Sequence, residues 1–307
     1  MDSSTRASDA DTVTSPPPLL RRATRRLKRV RSALRGIPKL PALVVLVTVF
    51  LAVFGATIAP HGPTTIDLAN ARLPPFWAGE GTTEFLLGTD ELGRDILSRV
   101  MAGSRISLSV ALATIAVGGV VGTSLGIWAG YAAGWSDIVI MRVVDGFLAF
   151  PAILIALVFA VTIGPGFGVV VLVLSLMLWS RYARLIRSEV LGLRDRDYVK
   201  LAKVAGASPF RIVRVHILPN VMSTFLVLST LQVGWAITVE ATLSFLGAGV
   251  PPPNPTWGGM VADGQDLLRR EWWVAVFPGA AIGAVVLSFN LLGDWIRDAL
   301  DPKLRQL

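Results

Sequence analysis

Long stretches without charged residues constrain this chain more than any other feature. Five stretches contain no Lys, Arg, Asp or Glu: Leu40–Pro60, Ile106–Ser136, Gly146–Ser180, Val215–Val239 and Trp272–Gly293. An α-helix needs roughly 20 apolar residues to cross the hydrocarbon core of a bilayer, and each stretch is long enough. A large soluble helical protein does not account for five of them, since only 16% of the 307 residues are charged, against roughly a quarter in soluble domains.

One of these stretches, Gly146–Ser180, is too long for a single helix. The sequence Gly164-Pro165-Gly166-Phe167-Gly168 interrupts it with a turn that a bilayer-embedded helix rarely tolerates. We therefore predict an all-α integral membrane protein with six transmembrane helices. The predicted spans are 40–60, 106–132, 139–163, 169–187, 217–246 and 273–296.

The distribution of Lys and Arg predicts which side of the membrane each segment faces. With the N-terminus inside, 23 of the 29 basic residues lie in the cytosolic segments 1–39, 181–214 and 297–305 and at Arg142. The outside segments 60–105 and 247–274 hold only four and two. Both termini are therefore predicted to be cytosolic, with residues 61–105 extracytoplasmic and residues 188–216 forming a cytosolic loop.

Two tails flank a predicted membrane core of residues 106–303 and its preceding span. Residues 1–39 are rich in Ser, Pro and Arg without apolar periodicity, which predicts a disordered tail. The nine positive charges from Arg21 to Lys39 favour contact with anionic lipid headgroups, and nucleic-acid binding is the alternative. Residues 304–307 form a short C-terminal tail.

The composition argues against disulfides, a metal site, nucleotide binding and catalysis on this chain. It has no cysteine and only His61 and His216, so we expect no disulfide and no metal site. None of the five Lys residues follows a Gly, so no phosphate-binding G-K-[ST] motif can be written. The spans also contain no set of side chains for catalysis, so the chain is not expected to be an enzyme.

The predicted cytosolic loop contains a short amphipathic helix. Its apolar residues recur at helical spacing after Asp197: Tyr198, Leu201, Ala202 and Ala205. Gly206 is predicted to end the helix in a left-handed conformation, and Ser208 followed by Pro209 is typical of the start of another helix. The helix either lies on the inner leaflet or fits a groove on a cytosolic partner.

Glycines in the second span predict close packing between helices. They are spaced four residues apart on one helix face: Gly118, Gly122, Gly126 and Gly130. Lipid supplies no hydrophobic driving force between helices, so small residues that let backbones approach stabilise such contacts. A substrate path along this face is the alternative.

Two acidic residues near the predicted spans have alternative explanations. Glu240 is a carboxylate inside an otherwise apolar stretch, which indicates either structural hydrogen bonding or a role in transport. Asp145 follows Arg142 by three residues, and an ion pair between them would explain both.

The outside segments carry two compact motifs that we expect to contact a partner. The first combines turn and charged residues: Gly88, Thr89, Asp90, Gly93, Arg94 and Asp95. The second is a proline-rich stretch, 249–255, that excludes helix and predicts a rigid surface loop. Its candidate contact residues are Pro251, Pro252 and the following Trp257.

The cytosolic loop resembles the "EAA" loop of ABC importer permeases. Ala202, Gly206, Leu218 and Pro219 match that pattern at its spacing. Lys200 stands where the pattern has Glu, Leu201 where it has the first Ala, and His216 where it has an aliphatic residue. Further motifs over residues 40–303 resemble the C-type permease subunit of dipeptide and oligopeptide importers: Gly88–Asp95, Asp145–Pro151, Leu243–Gly247, Pro251–Gly258, Asn290–Asp294 and Asp301-Pro302.

This resemblance implies a type I ABC importer permease fold in a bacterial cytoplasmic membrane. The implied partners are a B-type permease, one or two ATPase subunits that hold ATP and Mg, and an extracytoplasmic solute-binding protein. The chain itself would hold no cofactor. Residues implied in coupling to the ATPase are Asp197, Tyr198, Leu201, Ala202, Ala205, Gly206, Ala207, Ser208, Pro209, Leu218 and Pro219.

The implied cargo is a di- or oligopeptide, and nickel chelates and glutathione-like compounds are alternatives within the same family. A stand-alone secondary transporter or channel is a hypothesis of another class. It requires buried ionisable residues in several spans or an inverted repeat of broken helices, and Glu240 is the one candidate acid.

Overall fold

The computed structural model describes residues 36–300, except the side chains of Ala152 and Leu300. The predicted tails therefore lie outside the described residues, apart from 36–39. Within the described range the chain forms helices and no β-strand, with one isolated bridge between Thr89 and Asp95. Five helices are long and apolar enough to cross a membrane, or six if one sharply bent pair is counted as a single span.

The first two long helices meet at one end of the bundle. Helix α1 (Lys39–Ile58) is mostly exposed and packs on α2 (Ile96–Ala132), where Gly55 approaches the Met101 carbonyl. Helix α2 begins ten residues before the predicted span, because the Asp95 side chain accepts hydrogen bonds from the N–H groups of Leu97 and Ser98. It continues through a π-helical turn at Ile115–Gly119.

The predicted third span, 139–163, is two helices rather than one. Helix α3 (Gly134–Ala149) and helix α4 (Ala152–Ile163) meet at a bend of 88°. The break lies at Phe150 and Pro151, both extended. Proline has no N–H to donate and disfavours helical geometry in the residue before it, so the helix ends at this dipeptide.

The remaining spans are longer than predicted. Helix α5 (Phe167–Arg194) leads to the short helix α6 (Asp197–Val204), and α7 (Pro209–Phe245) begins eight residues before the predicted start at 217. Pro219 cannot donate to a carbonyl one turn earlier, and α7 widens there into a π-helical turn at Val213–Ile217. Helices α8 (Trp257–Gly264) and α9 (Trp273–Leu300) complete the bundle.

The bundle has two ends, which we name by the segments they carry. The loop end carries residues 195–208, which join α5 to α7. The far end carries residues 59–95 and 246–272, which join α1 to α2 and α7 to α9. Between them, α2, α5, α7 and α9 share one apolar core that includes Leu108, Tyr182, Ile237 and Val285.

Candidate functional site

The short helix α6 presents an apolar surface outward at the loop end. Val199 is its buried residue, whereas Leu201 is 67% exposed and Val204 is 87% exposed. Tyr198 is also exposed and lies 5.9 Å from the His216 ring, measured between ring centroids. The structure therefore places the predicted apolar residues of α6 on the outside of the bundle, with Ala202 partly buried.

The turn after α6 has the local geometry that the sequence predicts. Gly206 has a φ of +76°, and the N–H groups of Gly206 and Ala207 donate to the carbonyls of Lys203 and Ala202, both at 3.0 Å. These two bonds satisfy carbonyls at the helix end and reverse the chain direction. Ser208 then accepts a hydrogen bond from the Arg211 N–H at 3.3 Å, which starts α7.

Buried aliphatic side chains hold α6 to the bundle. Val199 packs in a cluster with Ile186 and Val190 of α5 and with Ile212 and Ile217 of α7. Ala202, Ala207 and Leu218 pack on the same cluster, while Asp197, Ala205 and Pro219 are exposed. Because both α5 and α7 contribute, α6 is coupled mechanically to two spanning helices.

Ion pairs tie α3 to α5 near the same end. Arg187 Nη2 donates to Asp137 Oδ2 at 2.6 Å, and Arg184 pairs with Asp145. The predicted ion pair between Arg142 and Asp145 is therefore replaced by a contact across helices. Residues 39 positions apart in sequence make this pair, so periodicity along one helix could not reveal it.

The four glycines of α2 lie against α5. A Cβ atom added at Gly122 would lie 2.2 Å from the Trp179 carbonyl oxygen, and one at Gly126 would lie 2.7 Å from the Ala183 carbonyl oxygen. Gly118 and Gly130 make similarly close approaches to the same helix. The two backbones are in direct contact, which leaves no room for a substrate path along this face.

The first outside motif is largely an internal scaffold of the far end. Asp90 accepts hydrogen bonds from the N–H groups of Leu92 and Arg94 at 2.9 Å and from Arg94 Nε at 2.6 Å. The Thr89 carbonyl accepts from Trp273 Nε1 at 3.1 Å. Thr89, Asp90 and Asp95 are buried, as are the left-handed glycines Gly88 and Gly93, so among these motif residues Arg94 retains the most exposure.

The second outside motif divides into exposed and buried parts. Pro251 and Pro252 are exposed, whereas Trp257 is buried and donates from Nε1 to the Val100 carbonyl at 2.9 Å. The proline-rich loop borders a cavity of about 410 Å³ that also contacts Arg94. Contact of these exposed prolines with a partner stays a prediction, whereas Trp257 fixes α8 against α2.

Sequence reasoning did not single out Arg99, which lies on the same cavity. Its side chain is 5% exposed and bridges Asp90 at 3.5 Å and Asp263 at 3.4 Å. These contacts join residues up to 164 positions apart, so no local sequence pattern predicts them. Arg99 links the first outside motif to α8.

Glu240 is fully buried near the far end of α7. Its two carboxylate oxygens accept hydrogen bonds from Ser107 Oγ at 3.2 Å and from Ser244 Oγ at 2.8 Å. Ser107 belongs to α2, so this network connects two spanning helices. Its hydrogen bonds favour the structural explanation for this acid over a role in transport.

Comparisons with known proteins identify the family. Residues 122–306 match the model of the binding-protein-dependent transport system inner membrane component. The chain is 41% identical over 263 residues to the di/tripeptide transport system permease protein DppC of Pseudomonas aeruginosa, a match that covers 86% of this chain and 87% of that protein. It is 40% identical over 279 residues to the dipeptide transport system permease protein DppC of Escherichia coli K12, covering 91% of each. The chain therefore belongs to the binding-protein-dependent transport system inner membrane component family.

Proposed function

We propose that this chain is one of two permease subunits that form the translocation pathway of an ATP-driven importer for di- or oligopeptides. The observation that carries the proposal is the apolar surface of α6, which projects from the loop end while Val199 anchors it to α5 and α7. An exposed apolar patch bordered by polar residues is typical of a protein interaction site. The proposed peptide cargo is inferred from the names of the similar proteins.

The proposed arrangement places the loop end in the cytosol of a bacterium and both termini on that side. Six spans then cross the cytoplasmic membrane, with the bent pair α3 and α4 counted as one. The basic residues of the loop end support this orientation, since Lys and Arg are concentrated in cytosolic segments. A solute-binding protein would dock on the opposite face, where Pro251 and Pro252 are exposed.

In the proposed mechanism, α6 couples ATP hydrolysis on the ATPase subunits to alternating access of the translocation pathway. Each ATPase subunit holds ATP and Mg and receives an α6-type helix in a surface groove, and closure of the ATPases moves the helix. Residues Asp197–Pro209, with Leu218 and Pro219 at their base, form the proposed coupling element. This chain then acts as a transport subunit without a cofactor or a catalytic site of its own.

Purification of the tagged chain from native membranes in mild detergent tests the proposal. A second permease and an ATPase with a Walker A motif are expected to accompany it. A chain that is isolated alone, from a preparation known to preserve complexes, would contradict the importer and favour a stand-alone transporter. A co-purified binding protein would distinguish peptides from nickel chelates and glutathione-like solutes.

Substitution of Gly206 tests the coupling element within that complex. Gly206→Val places a β-branched residue at a φ of +76°, where L-residues are strained, so the turn beneath α6 should rearrange. We expect an inserted, assembled protein that hydrolyses ATP without transporting peptide. Gly79→Val is the matched control, because Gly79 also has a positive φ but lies at the far end with no neighbour within 4 Å. Normal transport by an assembled Gly206→Val variant would refute the assignment.

A further inference from the structure

A groove at the loop end of the bundle carries opposite charges that do not pair with each other. Helices α5, α7 and α9 line this α5–α7–α9 groove, whose volume is about 560 Å³. Small-molecule sites in proteins commonly have volumes of about 300–1,000 Å³. Glu189 of α5 and Arg297 of α9 are its two charged residues.

Glu189 has an unsatisfied oxygen in this groove. Its Oε2 atom is buried without a hydrogen-bond partner among residues 36–300, although the carboxylate interacts with the Thr224 side chain of α7. A buried carboxylate oxygen that lacks a donor costs free energy, and a cationic donor would compensate it best. The ion pairs near this end within the described range involve Asp137, Asp145 and Asp195 rather than Glu189.

Arg297 supplies the opposite charge on another wall. It is exposed near the end of α9 and forms no ion pair within the part of the chain that the structure describes. A guanidinium group binds carboxylates through two parallel hydrogen bonds, which makes it selective for that group. The groove therefore offers one site for an ammonium group and another for a carboxylate.

The remaining walls are mostly aliphatic, with a polar strip near the loop end. These residues are Leu185, Leu193, Val227, Leu228 and Leu231, with Asn220 and Ser223. Such a lining accommodates apolar side chains between the two charged positions. A short peptide at neutral pH has the matching charge pattern, because its α-ammonium and α-carboxylate are both charged and lie at opposite ends of the molecule.

We propose that the α5–α7–α9 groove binds a short zwitterionic peptide, with its α-ammonium on Glu189 and its α-carboxylate on Arg297. The cargo class rests on the proposed function, and the groove adds where the peptide is held on the cytosolic side before release. Ethanolamine phospholipid headgroups share the ammonium and anion chemistry, so the test must separate the two sources.

Thiol protection in the purified complex measures occupancy of the groove directly. The chain contains no cysteine, so Ser223→Cys introduces a single reactive group on the groove wall. The complex is placed in nanodiscs of phosphatidylcholine and phosphatidylglycerol, and alkylation at position 223 is followed by mass spectrometry. We expect dialanine to slow alkylation, and N-acetyl-dialanine and dialanine amide to require roughly tenfold or higher concentrations, since a hydrogen bond to a charged group changes affinity by about that factor.

Two charge-removing variants predict different specificity changes. Glu189→Gln should abolish the preference for dialanine over N-acetyl-dialanine but keep the preference over dialanine amide. Arg297→Gln should do the reverse. A purely structural role would weaken all three ligands equally. Asp195→Asn is the matched control, because this exposed carboxylate follows α5 but lies outside the groove, and its three affinities should not change.

Several results would overturn the proposal. They include no protection by dialanine, equal protection by all three ligands, and a thiol that is unreactive before peptide is added because a partner subunit covers it. Protection that appears only when phosphatidylethanolamine is added would assign the groove to lipid. Peptide-stimulated ATP hydrolysis in the same preparation tests the importer separately, so a silent groove in a stimulated complex refutes only the groove.

Discussion

Replacement of Gly122 by alanine tests whether the backbone contact between α2 and α5 stabilises the bundle. The added Cβ would lie 2.2 Å from the Trp179 carbonyl oxygen and 2.7 Å from Tyr182 Cβ. Ordinary van der Waals contact between such atoms requires about 3.5 Å, so the helices must separate by about 1 Å. The first obstacle is a backbone oxygen, which cannot move aside as the end of a flexible side chain can.

The expected loss of stability follows from two opposing effects. Overpacking in a well-packed core costs about 1–3 kcal/mol, while alanine in a helix interior is favoured over glycine by about 0.5–1 kcal/mol. We therefore expect Gly122→Ala to lower the free energy of unfolding by about 1–2 kcal/mol. Gly192→Ala on α5 is the matched control, because nothing lies within 4 Å of its added Cβ, and it should be neutral or stabilising.

Reversible unfolding in mixed detergent micelles, followed by circular dichroism, measures this difference. The two alanine variants should differ by about 2 kcal/mol, with Gly192→Ala the more stable. The same stability for both variants would refute the close contact, because the helix-propensity gain is common to them. Gly122→Val should magnify the defect and reduce assembly in the membrane.

Four further substitutions, at three residues, test the far end of the bundle. Glu240→Gln should retain transport and nearly normal stability. Glu240→Ala should lower the free energy of unfolding by about 1–3 kcal/mol in the same assay, because it leaves the buried hydroxyls of Ser107 and Ser244 unpaired. Loss of transport in a stable Glu240→Gln variant would instead favour a role of Glu240 in transport. Trp257→Phe should cost about 1 kcal/mol by removing its hydrogen bond to the Val100 carbonyl, and no change in stability would show that this bond does not hold α8. Burial raises the pKa of the Glu271 carboxyl, an effect that its neighbour Arg72 only partly offsets. The ionised carboxylate is therefore less favourable in the folded state than in the unfolded chain. Glu271→Gln should therefore raise the thermal midpoint at pH 7, and the gain should vanish as the pH falls below the ordinary range of a Glu carboxyl, since Glu271 is then protonated in both states.

Local sequence patterns predict the helical segments of this chain because their causes are local. Charge-free stretches locate the long helices, and Gly206 and Ser208 locate the turn around α6 through their own backbone and side-chain chemistry. The bend at Phe150 and Pro151 also has a local signal, since proline disfavours helical geometry before it. The continuous third span was predicted from the length of the apolar stretch alone, and that criterion takes no account of the proline.

Contacts between distant segments could not be predicted in the same way. Asp145 has an arginine three residues earlier on α3, yet it pairs with Arg184, because α3 crosses α5 and brings that guanidinium closer. Arg99 and Glu189 likewise acquire their surroundings from helices far away in sequence. The opposite error occurs at Thr89, Asp90 and Asp95. Their charge and turn chemistry suggest a contact surface, whereas the three side chains are buried and stabilise the far end of the bundle.

The packing of α5 and α7 explains how a force on α6 could reach the far end of the bundle. Val199 is fixed between these two helices, so α6 cannot move without displacing them. The glycine contact leaves no layer of flexible side chains between α2 and α5 that could absorb the displacement. At the far end, Glu240 joins α7 to α2, and Trp257 joins α8 to α2. Loosening either far-end connection should therefore reduce the coupling between ATP hydrolysis and peptide transport, even where α6 still binds the ATPase. Loss of the contact between α6 and the ATPase should abolish that coupling.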